Sequence, residues 1–444
     1  MMQPSSDPLL QSDDFVRETL DNGRFQIEIW YYSTLCDPDL IRKEIAHPFL
    51  LSDSPETFEK VLCSALTGVR ITDTVHLSEE MLQGNTIIRL QGADYKLKTP
   101  KPGNTKLMQA STETTLQGPQ TALSEDADTS LMLVRRRYPQ QDLISEQMNL
   151  GSKSRTKAYL LYDKNKANPR ILEEFRRKLK AIDAEVVFTV GQVEALITDT
   201  QLRWFPTMIV TERPDRCVLN LSQGKIVLIV DGTPFVLIAP AVFQDFLSAM
   251  DDIFLPSLIT KALVMLRYIG ILITTTLPAL YVAVTSYNPE VIRVQFALSL
   301  AGSRAAVPYP TFFEVIFMLF LIEALIEASL RLPRYIGSTA TTVGGLILGQ
   351  AAQQAGLVSS VMIIVTSAVA ISNFLIPINI MSFAFRVIKY PLILLATLFG
   401  IVGVVAGLIA VCFYLANQNS FGLTYFRVFI GEPAVSGYKE GDTK

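Results

Sequence analysis

The stretch YIGILITTTLPALYVAV, residues 268–284, decides the fold class because it carries no charge and is long enough to cross a bilayer. Four more apolar segments follow it toward the C-terminus, and the third of the five is borderline because half of it is polar. We predict five membrane-spanning helices, at about Tyr268–Val284, Thr311–Leu330, Ser338–Gly356, Val358–Ile380 and Pro391–Ala416. Pro278 lies inside the first, where a neighbouring helix or water must satisfy the carbonyl that the proline leaves free.

Charged residues are distributed unevenly along the 444 residues. The chain has 39 Lys+Arg and 42 Asp+Glu, but only 12 of these lie in the 159 residues from Leu258 to Ala416. A polar N-terminal part is therefore joined to an apolar membrane domain, and the chain is not a single soluble globule. The formal net charge of -3 argues against general nucleic-acid binding.

The residues that usually carry catalysis or bind metals are scarce. The four cysteines show no CxxC spacing, only two histidines are present, and no HExxH, GxSxG or GxxxxGK[ST] motif occurs. We predict that the chain is not an enzyme and has no catalytic, cofactor-binding or metal site. The cysteines are expected to be reduced structural thiols.

Changes in composition divide the chain into six parts. We predict a flexible N-terminus (1–14), a first cytosolic α/β subdomain (15–98), a linker or loop (99–119), a second cytosolic α/β subdomain (120–255), a transmembrane helical domain (256–416) and a polar C-terminal tail (417–444).

Strand and helix signals alternate in the polar part, which indicates the α/β class. Strands are predicted at 24–32, 85–90, 157–163, 185–190 and 207–212. Helices are predicted from Asp37-Pro38 to about Ala46, within 52–66, from Asn168-Pro169 to Lys180, and over GQVEALITD (191–199). The apolar run 224–240 has Asp231-Gly232 in its middle and is predicted to be a β-hairpin rather than a membrane span.

Two basic features of the polar part have simple structural interpretations. His47 precedes Pro48 at the end of a helical pattern, where we expect it to cap the helix C-terminus. The run Arg135-Arg136-Arg137 follows a polar helix, and a solvated helix end is the preferred interpretation. Contact with anionic lipid headgroups is the alternative for that run.

The N-terminus lacks a basic region followed by an apolar one, so it is not a secretory signal, and we predict a cytoplasmic N-terminal region. With five spans, the two basic loops fall on the cytoplasmic side, as the positive-inside rule expects. Their cations are Arg331, Arg334, Arg386 and Lys389. The 286–310 loop then lies outside.

Three acidic residues occupy the second predicted span. Each carboxylate at the centre of such a helix costs at least about 2.5 kcal/mol, so it is expected to face protein or water. Glu327 is four residues before Arg331 and is predicted to pair with it. For Glu323, lining of a hydrated path and an interhelical bond stay equally open. Glu314 completes the set.

Small and amide residues mark two further spans. The third span combines the Gly345-Gly349 pair with three amides, Gln350, Gln353 and Gln354. The fifth contains a similar pair, Gly403 and Gly407. Close helix packing is the preferred interpretation, and the lining of a pore or substrate path is the alternative.

Several long strings, in order, resemble the A subunit of spore germinant receptors, the GerA family. They are TERPDR (with Glu212, Arg213, Pro214, Asp215 and Arg216), DGTPF (with Asp231 and Gly232), LPALYVA (with Pro278), RLPR-x-IG (331–337) and GQAAxQAGLVS (349–359). The resemblance extends over most of the chain and is weakest over residues 1–80 and after residue 420.

This resemblance implies a multi-pass protein of the inner spore membrane that takes part in nutrient sensing. It implies a transporter-like B-type subunit and a lipoprotein C-type subunit as partners, homo-oligomerisation, and a role in ion conduction or signal transduction. Germinant binding would fall chiefly to the B-type subunit.

The chain departs from the family pattern at three places. RAAVPYP (304–310) has Ala305 and Ala306 where the family has an acid and a glycine, and LIEAS (325–329) has Ile326 for an arginine. SFGLTYF (420–426) stands where the family has SFGVPYL. The joint loss of an acid and a base is consistent with the loss of one ion pair in a divergent paralogue.

Two other functions stay open. A secondary transporter is possible because Pro278 and the glycine-rich third segment are compatible with discontinuous helices, although residues 258–416 show no internal duplication. A membrane-anchored enzyme is the weakest alternative, since the required catalytic constellation is missing.

Overall fold

The structure is a computed structural model. It describes residues 11–64, 68–71, 77–102, 109–113, 115, 117–198, 203–330, 344–345 and 347–426. In order along the chain, these form an antiparallel α/β region with two sheets and a bundle of apolar helices.

The first sheet has five antiparallel strands in the order β1-β2-β4-β5-β3. Its strands are β1 (Phe15–Asp21), β2 (Gln26–Tyr32), β3 (Val69–Ile71), β4 (Asn85–Leu90) and β5 (Ala93–Lys98). Its helices are α1 (Pro38–Ile41), α2 (His47–Leu51), α3 (Pro55–Ser64) and α4 (Leu77–Leu82). The predicted alternation in β2 is confirmed, since Ile27 and Ile29 are buried in the core beside Phe49 and Phe58.

His47 does not end its helix, so the predicted C-terminal cap is wrong. Residues Arg42–Ala46 form a π-helical turn between α1 and α2, and His47 is the first residue of α2. Pro48 has no N–H to offer a helical bond, and widening of the preceding turn lets the helix continue past it.

The second sheet also has five antiparallel strands, in the order β6-β7-β9-β10-β8. They are β6 (Leu143–Leu150), β7 (Thr156–Asp163), β8 (Ile209–Thr211), β9 (Ile226–Val230) and β10 (Val236–Ala239). Its helices are α5 (Ala127–Arg137), α6 (Pro169–Lys180), α7 (Val190–Ile197) and α8 (Pro214–Ser222). The predicted hairpin is confirmed, because β9 pairs with β10 around Gly232, whose φ of 84° suits glycine.

Residues 185–190 do not form the predicted strand. Val187 is instead held by hydrogen bonds from Thr156 Oγ1 to its carbonyl and from its N–H to Ser154 Oγ. Thr189 then caps α7, since its side chain accepts from Gln192 N. Side chains of the neighbouring turn form hydrogen bonds with the backbone of Val187, so this residue does not need a strand partner.

A buried ion pair joins the two sheets. Arg135 is fully buried and donates through Nε and Nη2 to the carboxylate of Asp14, at the start of β1. Both predictions for the Arg135 side chain, solvated or lipid-bound, are therefore wrong. The described end of the predicted flexible N-terminus is also less free than predicted, because Ser12 and Asp14 are buried. Residues 1–10 of that segment lie outside the described residues.

The apolar part consists of helices α9 (Ser257–Ser286), α10 (Val294–Ser303), α11 (Thr311–Leu330), α12 (Ser360–Phe374) and α13 (Asn379–Asn417), with a helical segment at 347–354. Two of these, α9 and α13, are long and apolar enough to cross a membrane. The bounds of α11 match the predicted second segment. Residues 338–343 and 346 of the predicted third segment lie outside the described residues.

Helix α13 is a hairpin rather than one rod, so the predicted fifth segment, 391–416, is not a single span. Gly400 has φ 61° and ψ -141° in its middle. Beyond this kink Gly407 lies beside Leu392 and Leu395 of the first arm. The two arms, of about 21 and 17 residues, are each roughly 25–30 Å long.

Three further differences concern loops and segment ends. The predicted fourth segment, 358–380, contains α12, which ends at Phe374, and α13 begins before that segment ends. Arg386 and Lys389 lie inside the first arm of α13 rather than in a loop. The predicted 286–310 loop contains a 3₁₀ turn and the short apolar helix α10.

The described start of the C-terminal tail is ordered on the second sheet. Strands β11 (Asn419–Ser420) and β12 (Leu423–Thr424) form a small hairpin. Ser420 Oγ donates to Thr207 O at 2.9 Å and accepts from Ala241 N at 3.2 Å. The second arm of α13 therefore ends beside the α/β region.

Candidate functional site

Glu323 of α11 is held between two cations of α13. Its Oε2 accepts from Arg386 Nε at 2.8 Å, and its Oε1 accepts from Lys389 Nζ at 2.7 Å. The Lys389 side chain is fully buried, and the other two are at most 20% exposed. Of the two interpretations of Glu323, the structure shows the interhelical bond. We call these three residues the triad.

The triad makes α11 and α13 depend on each other. Taking a charge out of water costs several kcal/mol, and loss of one partner from a buried pair leaves the other uncompensated. Arg386 also lies 4.8 Å from the Phe383 ring, and Lys389 lies 5.4 Å from the Tyr390 ring. Any movement that separates the two helices in the described structure therefore breaks both ion pairs of Glu323.

Glu314, at the other end of α11, lies in a second polar site. Its fully buried carboxylate accepts from Ser359 N at 2.7 Å and from Arg304 Nε at 3.2 Å. Ser359 is the N-cap of α12, so the carboxylate also faces the positive end of that helix dipole. Tyr281 Oη of α9 lies 3.0 Å from Ser359 Oγ. This site joins three helices.

The remaining predicted polar residues of the bundle lie on the surface of the chain. Glu327 is exposed, and its predicted partner Arg331 lies outside the described residues. The amide residues of the third segment are also exposed: Gln350, Gln353 and Gln354. They are free to face lipid, water or another subunit.

The predicted glycine pairs differ in their surroundings. An added Cβ at Gly345 would lie 3.3 Å from Leu325 of α11, whereas one at Gly349 would meet nothing within 4 Å. A Cβ at Gly403 would collide with Leu395 O at 2.1 Å, and one at Gly407 would lie 3.0 Å from Leu395 Cδ1. Gly403 and Gly407 thus allow the two arms of α13 to approach.

Two buried polar side chains of the bundle have no hydrogen-bond partner among the described atoms. They are the hydroxyl of Thr274 in α9 and the whole amide of Asn373 in α12. Thr274 is the residue four before Pro278, whose ring lies inside α9 as predicted. An unpaired buried polar group costs about 1–3 kcal/mol, so these groups are places where water is expected to enter.

The TERPDR residues fasten a loop segment to α8. The buried carboxylate of Glu212 accepts from the backbone N–H groups of Ser111 and Thr112. Arg213 pairs with Asp215 and donates to Glu113 O at 3.1 Å. Pro214 is the first residue of α8.

Arg216 extends these contacts toward the membrane part. It pairs with Glu113 at 2.8 Å and donates to Asp245 O at 3.1 Å. Asp245 belongs to the first of two short 3₁₀ helices, Phe243–Phe246 and Met250–Phe254. We call residues 243–254 the junction turn.

Helix α9 holds the junction turn from the other side. Arg267 donates to Leu247 O at 2.8 Å and to Asp252 Oδ1 at 2.9 Å. The junction turn therefore lies between Arg216 of the α/β region and Arg267 of the bundle. Arg267 is a charged residue within an apolar run, and this sequence signal could have located the junction turn. The sequence does not show that Asp252 is its partner.

Aromatic side chains complete the contact between the α/β region and the bundle. Phe205 packs on Phe385 and Tyr414, one from each arm of α13, with ring centroids 5.2 and 6.2 Å away. Gln418 Nε2 donates to Phe205 O at 3.1 Å. One continuous core extends from the second sheet into the bundle.

Asp231 and Gly232 have a local role in the α/β region. Asp231 Oδ1 accepts from Ala127 N at 3.0 Å, at the first residue of α5. Gly232 N donates to Glu125 O at 2.8 Å. The DGTPF turn is thereby attached to the N-terminus of that helix.

No group of three or more His, Cys, Asp or Glu residues could hold a metal ion within the part of the chain that the structure describes. Cys217 is a buried residue of α8, and burial raises the pKa of its thiol well above the ordinary value. A thiol in this environment is protonated and unreactive.

The fold and these contacts define a class of protein: an antiparallel α/β region fixed by a shared core to a bundle with candidate membrane spans. A family model described as Bacillus/Clostridium GerA spore germination protein matches residues 6–434. The chain belongs to the GerA family of spore germination proteins.

Two relatives agree in sequence with this assignment, and one solved structure aligns with part of the chain. Spore germination protein KA of Bacillus subtilis (strain 168) is 33% identical over 93% of this chain and 78% of its own length. Spore germination protein GerLA of Bacillus cereus is 33% identical over 93% of this chain and 79% of its own. The crystal structure of the N-terminal domain of the A subunit of the Bacillus megaterium spore germinant receptor GerK3 aligns at 27% identity, covering 53% of this chain and 91% of that one, with a TM-score of 0.40.

Proposed function

We propose that this chain is the A-type subunit of a nutrient germinant receptor in the inner spore membrane. It transduces germinant binding into ion release, as part of an oligomeric membrane channel or transducer. It works with a transporter-like B-type subunit, a lipoprotein C-type subunit and further copies of itself. Membrane lipid surrounds the bundle, and the chain carries out no catalysis.

The observation that carries this proposal is the unbroken path of contacts from the α/β region to the triad. Arg216 and Arg267 hold the junction turn from both sides. Phe205 contacts both arms of α13, and the first arm carries Arg386 and Lys389. A two-state change in the α/β region therefore alters the packing around the triad, and a change at the triad alters the α/β region. A transducer requires such coupling.

The unpartnered groups support the ion-conducting part of the proposal. Thr274 and Asn373 present a hydroxyl and an amide, both without a hydrogen-bond partner among the described atoms, to the interior of the bundle. Groups of this kind in a membrane domain line hydrated cavities or ion pathways. We propose that water reaches both in the conducting state.

We further propose that both ends of the described chain lie in the cytoplasm. Arg267 near the start of α9 and Tyr414 near the end of α13 both contact the α/β region. Tyr287 Oη, just after α9, donates to Thr397 O near the Gly400 kink, which lies at the far end of the bundle. The C-terminal segment thus returns to the side on which the polar region lies.

Gene deletion and complementation test this function. Spores without the gene should lose nutrient-triggered germination to one germinant class, and the wild-type gene should restore it. Normal germination of the deletion spores to every nutrient that the parent responds to would contradict the role. Absence of the protein from the inner-membrane fraction of spores would contradict the location.

A secondary transporter is the second candidate, because α13 is broken at Gly400 and α9 contains Pro278. A transporter and a channel differ in the kind of flux that they support. Proteoliposomes that contain the chain should show saturable substrate counterflow if it is a transporter. Channel-like flux without counterflow would exclude the transporter.

A further inference from the structure

A half-open apolar cavity of about 210 Å³ lies between the two arms of α13, beneath the loop that carries Trp204. Its walls include Leu395 of the first arm and Gly407, Ala410 and Tyr414 of the second. No polar atom contributes to its surface. For comparison, an apolar cavity of about 150 Å³ stays dry and binds benzene.

The cavity exists because of the hairpin. Gly400 reverses the chain, and Gly407 leaves out the side chain that would otherwise contact Leu395 and Leu392. Since water gains no hydrogen bond on these walls, an apolar occupant is favoured by the hydrophobic effect.

Two aromatic residues mark the mouth of the cavity. Trp204 is 44% exposed, and its backbone N–H donates to Tyr414 Oη at 3.3 Å. Tryptophan and tyrosine are enriched where the hydrocarbon core of a bilayer meets its headgroups. With the bundle placed in a membrane as proposed above, the mouth lies at the level where the acyl chains of lipids begin.

The outer surface of the hairpin continues the apolar character of the cavity. Large apolar side chains on both arms are exposed: Leu394, Leu398, Val402, Ile409 and Phe413. An acyl chain of lipid that covers these residues can therefore enter the cavity without crossing a polar surface.

We propose that the cavity binds the acyl chain of a membrane lipid, held between Trp204 and the two arms of α13. This rests on the membrane placement in the proposed function. A bound chain fills the space beside Trp204 and Phe205 and stabilises the hairpin against the α/β region. A side chain of a partner subunit, or a small apolar solute, would be a different occupant.

Quenching of Trp204 fluorescence by lipids with brominated acyl chains tests the proposal in the full-length protein. The chain has two tryptophans, so Trp30→Phe leaves Trp204 as the single reporter. In nanodiscs of brominated lipid, this parent should be strongly quenched relative to nanodiscs of the same lipid without bromine.

Ala410→Leu fills the cavity, whereas Ala406→Leu adds the same group on an exposed position of the same arm outside the cavity. Ala410→Leu should reduce the quenching by about half, and Ala406→Leu should leave it unchanged. Val411→Phe is a second filling variant, and thermal unfolding identifies any variant that fails to fold.

Equal quenching in the parent, the folded filling variants and the control would overturn the acyl-chain site alone. Equal quenching by a brominated apolar solute in nanodiscs of unbrominated lipid, lost in Ala410→Leu, would overturn the lipid as occupant. Absence of quenching in the parent would overturn the membrane placement, and with it the proposed location of the chain.

Discussion

Lys389, fully buried in the first arm of α13, donates to Glu323 Oε1 of α11 at 2.7 Å, and this bond fixes two helices of the bundle to each other. The same carboxylate also binds Arg386. One carboxylate is thus shared by two basic side chains that would otherwise face an apolar surrounding.

Glu323→Gln should lower the stability of the bundle by about 3–5 kcal/mol, because it leaves Arg386 and Lys389 without a carboxylate. Thermal unfolding of the full-length protein in nanodiscs measures this change. Glu327→Gln, one turn along the same helix and exposed, is the matched control and should change stability by less than about 1 kcal/mol. Equal stability of the two variants would show that the triad is not a structural bond.

Arg135→Met should loosen the contact between the two sheets and destabilise the α/β region by several kcal/mol, because Asp14 would stay buried without its partner. Burial alone would raise the pKa of Asp14, but the charge of Arg135 and its hydrogen bonds outweigh burial and hold that pKa below 3.8. The stability that Asp14 contributes is therefore present above about pH 4 and is lost as pH falls through its lowered pKa.

Urea unfolding as a function of pH measures both effects. The wild type should lose stability in acid more steeply than a variant with Asp14→Asn and Arg135→Met together. Parallel pH dependence in the two proteins would contradict the assignment.

Glu194 of α7 should give the opposite pH dependence. Burial raises its pKa from 4.5 to about 7, against a smaller lowering by Arg203. The folded state then binds a proton that the unfolded state has released, so this contribution is full below about pH 4.5 and is lost as pH rises through 7. Glu194→Gln should remove the decline in stability between pH 5 and 8 that denaturant unfolding detects, and an unchanged decline would assign it to another group.

Gly400→Ala should disturb the hairpin, because φ of 61° with ψ of -141° is strained for any residue with a Cβ. The added Cβ would also lie 2.8 Å from Asn288 Oδ1. We expect a loss of about 1–3 kcal/mol in thermal unfolding. Gly302→Ala in α10 is the control, since its Cβ would meet nothing within 4 Å, and it should be neutral or slightly stabilising.

Asn373→Leu should affect the stability of the bundle and the release of ions in different ways. Removal of a buried amide without a partner should leave the bundle as stable as before or stabilise it by up to about 2 kcal/mol. Ion release from spores should nevertheless slow, because the part of the interior that we propose to be hydrated becomes apolar at this point. Unchanged release at an equal protein level would remove Asn373 from the path.

The sequence predicted elements best where local chemistry alone determines them. Asn168 before Pro169 located α6, and Asp231-Gly232 located the β9–β10 hairpin. Strand β4 was predicted with its observed bounds because NTIIRL contains three β-branched residues in a row, Thr86, Ile87 and Ile88. The polar strands β1 and β6 were not predicted, since their partners and not their own residues make them strands.

The site was predictable only in part. Glu323 stood out as a charge in an apolar run, but its bonds to Arg386 and Lys389 join residues more than 60 positions apart. The same cations were assigned to a loop because the sequence does not show that Gly400 folds α13 back on itself. Ion pairs between residues so far apart in the sequence depend on the tertiary structure, and the hydrophobic periodicity of the sequence does not specify them.

Nutrient-triggered ion release from spores that carry Glu323→Gln tests the central claim, that α11 and α13 transmit the signal through the triad. Release should be slowed at least several-fold compared with Glu327→Gln spores, when both proteins are present in the inner membrane at the same level. Release at the control rate, with the variant protein folded and abundant, would contradict the claim.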